Sequence, residues 1–264
     1  MTTVAEAAAL LESWFPRALA AEWDNVGLLL GDAAGPAERI MTCLSLTRDV
    51  VDEAVAERAQ LVVTHHPLPF RALKSITTVG FDGSRLWRLA TAGVAVYSPH
   101  TAFDSAARGI NQRFSELLNL KNVRPLAPIA GATDPQIGIG RMGELAAPTK
   151  LDDLARLAKR GLNAGEATFV GDASRAVRHV GIACGSAGDL MKQAVKLGCD
   201  AFITGEANFH TALEAEAAEI GLVLVGHFAS EHFAMVQLAD DLQKALPAAT
   251  VWPARREADP LRGV

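Results

Sequence analysis

Arg39–His66, RIMTCLSLTRDVVDEAVAERAQLVVTHH, can be laid without a gap over His179–Glu206, HVGIACGSAGDLMKQAVKLGCDAFITGE, 140 positions further along the chain. Asp49/Asp189, Ala54/Ala194, Val55/Val195 and Thr64/Thr204 stay in register across the two copies. In each copy a short apolar run leads into residues with helical periodicity and then into a second apolar run, the pattern of strand, helix, strand. Further on, Gly93–Tyr97 followed by His100-Thr-Ala-Phe-Asp104 is matched by Gly221–Val225 followed by His227-Phe-Ala-Ser-Glu231. Both halves therefore read as a strand followed by His-x-x-x-carboxylate. Apolar strands alternating with helices predict parallel pairing. A duplication that brings His and Asp/Glu twice to matching strand ends predicts one composite metal site between two similar α/β lobes.

Working outward, Thr3 and Glu6 fit a capping box. The apolar spacing that follows predicts an amphipathic helix running to about Leu19. Glu22–Gly31 reads as a turn into a short buried strand. In the first half, Ile40–Leu46, Leu61–Thr64 and Val94–Tyr97 are predicted strands, with helices over Asp49–Ala59, Ser84–Ala92 and Ser105–Leu118. Lys121–Asp134, with two prolines and a glycine, is the clearest break, and the lobes are expected to span 1–125 and 126–264, the C-terminal helix packing back on the first. In the second half, Ile137–Leu145, Val180–Cys184, Ala201–Thr204 and Leu222–Val225 are predicted strands. Its predicted helices cover Leu151–Gly161, Asp189–Leu197, Asn208–Ile220 and Phe228–Leu246, and Pro247 stops the last of them.

The bulk composition narrows the classes of function. With 264 residues, half of them apolar, the chain has material for two lobes with cores of their own. A net charge of -5 disfavours a general nucleic-acid surface and leaves small-molecule chemistry or protein contacts. Cys43, Cys184 and Cys199 are odd in number and widely spaced, so they read as reduced, buried cysteines rather than as a disulfide framework or a thiolate zinc knot. No apolar run reaches the ~18 residues of a membrane span, and Met1–Phe15 lacks the basic start of a secretory signal. A cytoplasmic protein is expected.

His65 and His66 directly follow an apolar strand, at the end where parallel sheets place their ligands. Because neighbouring side chains diverge, at least one of the two must meet a polar environment. His227 and Glu231 lie one helical turn apart on one face and can converge on one ion, and His100 and Asp104 stand at equivalent points of the other half. Together these imidazoles and carboxylates, without thiolate, suit zinc, manganese, iron or nickel better than a closed structural zinc site. Where the first half has His65-His66, the second has Gly205-Glu206 followed by His210. Glu206 is read either as an acid/base group or as a helix cap. The chain carries no Walker loop, no G-x-G-x-x-G and no G-x-S-x-G elbow. Ser45, Ser98 and Cys43 have no base partner nearby in sequence, which makes nucleophilic catalysis the weaker alternative.

Trp23-Asp-Asn-Val-Gly-Leu-Leu-Leu-Gly-Asp32, Thr64-His-His-Pro-Leu-Pro-Phe-Arg-Ala-Leu-Lys74, His100-Thr-Ala-Phe-Asp104, Thr204-Gly-Glu206 and Gly226-His-Phe-Ala-Ser-Glu231 occur in this order across nearly the whole chain. Together they resemble the GTP cyclohydrolase 1 type 2 family, also called the Nif-three-like family, in its compact form without a mid-chain insert. The resemblance implies two interlinked α/β lobes, a dinuclear metal centre in the cleft between them, and a ring-shaped homo-oligomer, commonly a hexamer. Carried over position by position, it implies metal ligation by His65, His66, Asp104, His227 and Glu231. It makes His100 a site-lining residue rather than a ligand, and in a hydrolase Glu206 or His210 would be the proton-transfer candidates. The family's HTNLD and GHYATE stand here as HTAFD and GHFASE, which changes the surroundings of the ligands and not the ligands themselves. The activity implied is hydrolysis of a nucleotide or related heterocycle by a metal-activated water; the sequence shows no phosphate cradle, so a triphosphate would rely on Arg71, Lys74 or a neighbouring subunit. The alternative is a metal-binding regulatory or protein-interaction protein with little intrinsic catalysis.

Overall fold

A computed structural model describes residues 1–262 of the protein. Positions 263 and 264 of the expected second lobe lie outside the described residues. Thr3 caps α1 (Val4–Trp14) with the predicted capping box: Glu6 N donates to Thr3 Oγ1 at 3.2 Å and Thr3 N to the Glu6 carboxylate at 2.8 Å. The periodicity carries this helix to about Leu19, but it stops at Trp14. Pro16 disfavours helical backbone in the residue before it and has no N–H to contribute, so the chain resumes only as a single 3-10 turn at Arg17–Leu19.

There follow β1 (Gly27–Leu30), β2 (Arg39–Cys43), α2 (Arg48–Ala56), β3 (Leu61–Thr64), α3 (Asp82–Thr91), β4 (Ala95–Ser98), α4 (His100–Ser105) and α5 (Ile110–Leu117). Next come β5 (Lys121–Arg124), β6 (Ala127–Pro128), β7 (Gly138–Ile139), β8 (Arg141–Lys150), α6 (Leu151–Gly161) and β9 (Thr168–Val170). The chain closes with β10 (Ala176–Ala183), α7 (Met191–Lys196), β11 (Ala201–Thr204), α8 (Phe209–Ala217), β12 (Gly221–Leu224), α9 (His227–Ala245) and β13 (Thr250–Pro253). No helix among the described residues is long and apolar enough to cross a membrane.

The first of two compact units comprises Met1–Phe103 and Ala234–Ala258. Its five-stranded sheet runs β1-β4-β3-β2-β13, parallel throughout except for β1. The interior strands β2, β3 and β4 are almost entirely buried, as expected of parallel strands covered on both faces. Met41, Cys43, Val62 and Val96 pack against Val50, Val51 and Ala54 of α2 and Leu86 and Leu89 of α3. Thr42, which points to the other face of β2, donates its hydroxyl to the Met235 carbonyl of α9 at 2.8 Å. Four parallel strands thus end at the same edge of one sheet. Leu44-Ser45 follow β2, His65-His66 follow β3, His100 follows β4 and Glu257 follows β13.

The second unit comprises Asp104–Phe233 and the described residues after Ala258. Its six-stranded sheet runs β5-β8-β10-β11-β12-β9, with β10, β11 and β12 mutually parallel and the outer pairings antiparallel. Side chains alternate between two cores. Val180, Ile182, Ala201, Ile203 and Val223 meet Leu151, Leu154 and Ala158 of α6 with Phe114 of α5. Ala183, Phe202 and Leu222 meet Met191 and Ala194 of α7 with Ala215 of α8. Part of the proline-rich stretch expected to be a break is a strand, since Lys121 of β5 lies opposite Glu144 of β8. Ile40 pairs with Leu61 in the first sheet and Val180 with Ala201 in the second, the same 140-position offset as the sequence alignment. The mixed α/β class read from the sequence is the class observed.

Candidate metal-binding groups

In the first unit His65, His66 and His100 each place one ring nitrogen within 4.8 Å of the others. Their ring centroids are 5.0 to 5.8 Å apart. The backbone around them is held firmly: His65 N donates to the Cys43 carbonyl at 3.0 Å, and the Ser98 hydroxyl donates to the His65 carbonyl at 2.7 Å. His66 Nδ1 lies 2.7 Å from Ser45 Oγ. His100 Nδ1 lies 2.7 Å from Oδ1 of Asp24, whose other oxygen accepts from the Thr101 amide and hydroxyl.

An ionised carboxylate can only accept, so His100 carries its proton on Nδ1 and, when neutral, its lone pair on Nε2. This is the arrangement in which a carboxylate orients a metal-binding imidazole. Burial pushes the Asp24 carboxyl up, but hydrogen bonds from His100 and Thr101, together with the charge of His100, outweigh it and hold the group at about 2. His100 itself adopts φ +26, a left-handed conformation rarely taken by a non-glycine residue and one that clusters at functional sites. Trp23 and Phe70 stand edge-on to its ring at 6.1 Å each, and both are exposed.

In the second unit α9 opens with His227, and one turn later Glu231 meets it, Nε2 to Oε2 at 3.0 Å, as the i, i+4 spacing predicts. His227 Nδ1 reaches Glu206 Oε1, also at 3.0 Å. The hydrogen bond to Glu231, reinforced by both carboxylate charges and opposed by burial, raises the imidazole to about 9. A cation binding here therefore displaces a proton. Gly185, at φ +65, lies so close that a Cβ would collide with Glu231 Oε1. Asp104 accepts at Oδ1 from the Cys184 thiol at 3.3 Å, and Asn111 holds both its carbonyl and the Cys184 amide. Burial, then the Asp104 charge, pushes this thiol well above its usual range, so it stays protonated and serves as a donor. All three cysteines are buried thiols without a disulfide.

The helix-cap reading of Glu206 fails, because Asn208 caps α8 by accepting from Thr211 N at 3.0 Å. Glu206 is instead the exposed carboxylate partner of His227. His210 stands exposed on α8 with its ring beside Phe209, and among the described residues no hydrogen bond or ion pair joins it to the other candidates. The donor chemistry fits a divalent cation: three clustered imidazoles in the first unit, two of them (His66 and His100) with Nδ1 already tied, and a buried carboxylate against an imidazole in the second.

A family model described as Duf34/NIF3 (NGG1p interacting factor 3) matches residues 2–260. The chain belongs to the Duf34/NIF3 family. Among its Duf34/NIF3 relatives, a protein of Clostridium acetobutylicum named GTP cyclohydrolase 1 type 2 homolog is 31% identical over 90% of this chain and 88% of its own. Protein NIF3 homolog of Schizosaccharomyces pombe is 32% identical over 96% and 95%. Among solved structures, a Bacillus cereus protein related to NIF3 superposes at a TM-score of 0.93, with 22% identity and all of both chains covered. Staphylococcus aureus protein SA1388 superposes at 0.90, with 24% identity over 100% of this chain and 99% of its own. These superpositions establish the Duf34/NIF3 fold.

Sequence reading missed Asp24, Ser45, Asn111, Cys184 and Gly185. Asp24 lies inside the Trp23–Asp32 motif, which marks its position but not its partner. Ser45 has an imidazole partner after all, 21 residues away and reached through the pairing of β2 with β3.

Proposed function

We propose that this Duf34/NIF3 protein holds two divalent metal ions on His65, His66, Asp104, His227 and Glu231 and hydrolyses a nucleotide or related heterocycle. The observation that carries the reading is the convergence of His65, His66 and His100 at neighbouring parallel-strand ends, with His100 fixed in one tautomer by Asp24. The name GTP cyclohydrolase 1 type 2 homolog, borne by several relatives, supports the substrate class. Bound ions would supply Lewis acidity and lower the pKa of water.

The chain's own groups do the rest. His100 presents Nε2 to the site, Glu206 orients His227 and can accept its Nδ1 proton, and exposed His210 can pass protons to solvent. Arg71 and Lys74, exposed beyond Phe70, supply positive charge for a phosphate chain. A cytoplasmic homohexamer accompanies this reading, as the family resemblance and the composition imply. The family's description as an interacting factor favours a second reading, a metal-binding protein whose main role is contact with a partner.

The test is metal analysis of purified protein together with assays of GTP ring opening and phosphoester hydrolysis, for wild type and a His65→Ala, Glu231→Ala double variant. Wild type should carry metal and turn over a nucleotide, and the double variant should do neither. Full metal content without turnover of any nucleotide sinks the hydrolase reading. Metal retained by the double variant sinks the ligand assignment.

A further inference from the structure

Ala254–Glu257 follows β13, and two carboxylates, one buried and one partly buried, fasten it reciprocally to the first unit. Glu53 of α2, only 3% exposed, accepts from Arg255 N at 2.9 and 3.0 Å and from Arg256 N at 2.8 Å. In the other direction, Glu257 accepts from Leu44 N at 2.8 Å through Oε2 and from Ser45 N at 2.6 Å through Oε1. One carboxylate thus grips two successive amides of the loop that leaves β2. The same loop reaches His66 twice, since the Leu44 carbonyl accepts from His66 N at 2.9 Å and Ser45 Oγ meets His66 Nδ1 at 2.7 Å. Ala254 N, bonded to the Thr42 carbonyl at 2.7 Å, extends the β13–β2 ladder to the point where Glu257 can reach this loop.

We infer that Glu257 is a positioning residue for the metal-binding imidazole of His66, acting through Ser45. This rests on the reading of His66 as a metal ligand. An imidazole ligand needs its second nitrogen held so that the first is aimed, and Ser45 Oγ is the group at that second nitrogen. A serine on a strand-exit loop holds its hydroxyl in place only if the loop backbone is fixed. Leu44 and Ser45 have no ladder partner for their N–H groups in the sheet, and the two oxygens of Glu257 take that place. Substituting Gln would leave one acceptor and turn an NH2 toward the other amide, two donors face to face. The residue that orders the site from the C-terminal tail lies more than 190 positions from the histidine it serves.

The experiment is zinc binding to the full chain, measured by competition with a chromophoric chelator, for wild type, Glu257→Gln, Glu257→Asp, Ser45→Ala and the Glu257→Gln, Ser45→Ala double variant, with thermal unfolding of each apoprotein. Glu257→Gln and Ser45→Ala should each weaken zinc affinity by about 10-fold, the lower end for partners of metal ligands. The double variant should be no weaker than either single one, because both changes break one chain of contacts. Glu257→Asp, which keeps both oxygens, should recover part of the loss. If Glu257→Gln fails to fold, the matched comparison of Glu257→Asp with Ser45→Ala carries the same test. Wild-type affinity in Glu257→Gln and Glu257→Asp overturns the inference, as do losses that add in the double variant. A lowered melting temperature with unchanged zinc affinity shows a purely structural residue and overturns it too. Wild type that binds no zinc overturns the metal reading itself, an outcome distinct from all of these.

Discussion

Replacing Gly185 by alanine probes how closely the backbone of the second unit is fitted to its ion pair. Gly185 has φ +65, and a Cβ there would strike Glu231 Oε1 and stand 3.5 Å from His227 Nε2. An L-residue in this conformation costs about 1–2 kcal/mol. The collision adds a further ~1–3 kcal/mol, the usual range for forcing extra volume into a packed site, because Glu231 is only 4% exposed and has little room to move. Gly198 is the matched control, since it has φ +76 and an added Cβ would meet nothing within 4 Å. Urea unfolding should therefore place Gly185→Ala below Gly198→Ala by the collision energy alone.

A second readout is specific to the ion pair. The His227 ring, followed by NMR in metal-free protein, should titrate near 9 in wild type, where Glu231 and Glu206 hold its proton. In Gly185→Ala the displaced Glu231 should let that value fall by about one unit or more, each unit corresponding to about 1.4 kcal/mol. Gly198→Ala should leave it unmoved. Equal stability of the two variants together with an unchanged His227 titration would refute the argument that Gly185 is glycine for the sake of Glu231.

Three further outcomes are expected. Asp24, held at about 2 in the folded protein against 3.8 unfolded, contributes about 2 kcal/mol of stability that is complete above pH 3.8 and lost as pH falls through 2. The difference in urea midpoint between wild type and Asp24→Asn should therefore shrink as pH is lowered from 5 to 2.5 (about the practical limits of the experiment). Buried Arg141 donates to the carbonyls of Ala106, Gln136, Gly138 and Gly140 and to the Gln112 side chain, so Arg141→Ala should lose about 3 kcal/mol or more in urea unfolding, and Lys, a single point donor, should not restore it. Thr3→Ala removes the cap of α1 and should destabilise by about 1 kcal/mol, visible as a small loss in the thermal midpoint without change in metal binding.

Strand and helix identity was legible where it depends on neighbours in the chain. The apolar runs at β2, β3, β10 and β11, the Thr3–Glu6 box and the His227–Glu231 spacing are all patterns of side-chain period, and a period is written in consecutive residues. The same logic placed His65 and His66 at a strand end and predicted parallel pairing. It failed at α1, where Pro16 overrode the periodicity, and at β9 and β13, edge strands whose partly exposed residues make no buried apolar run.

Only the tertiary structure decided which polar groups meet. Asp24 finds His100 across 76 positions, Ser45 finds His66 across 21, Asn111 finds Cys184 across 73 and Glu257 finds Leu44 across 213. No local pattern specifies such pairs, because each depends on the order and register of strands in a sheet. The 140-position repeat foretold which residues would stand at strand ends. The fold alone determined that a β13–β2 pairing, absent from the sequence reading, would bring a tail carboxylate to the loop that holds His66.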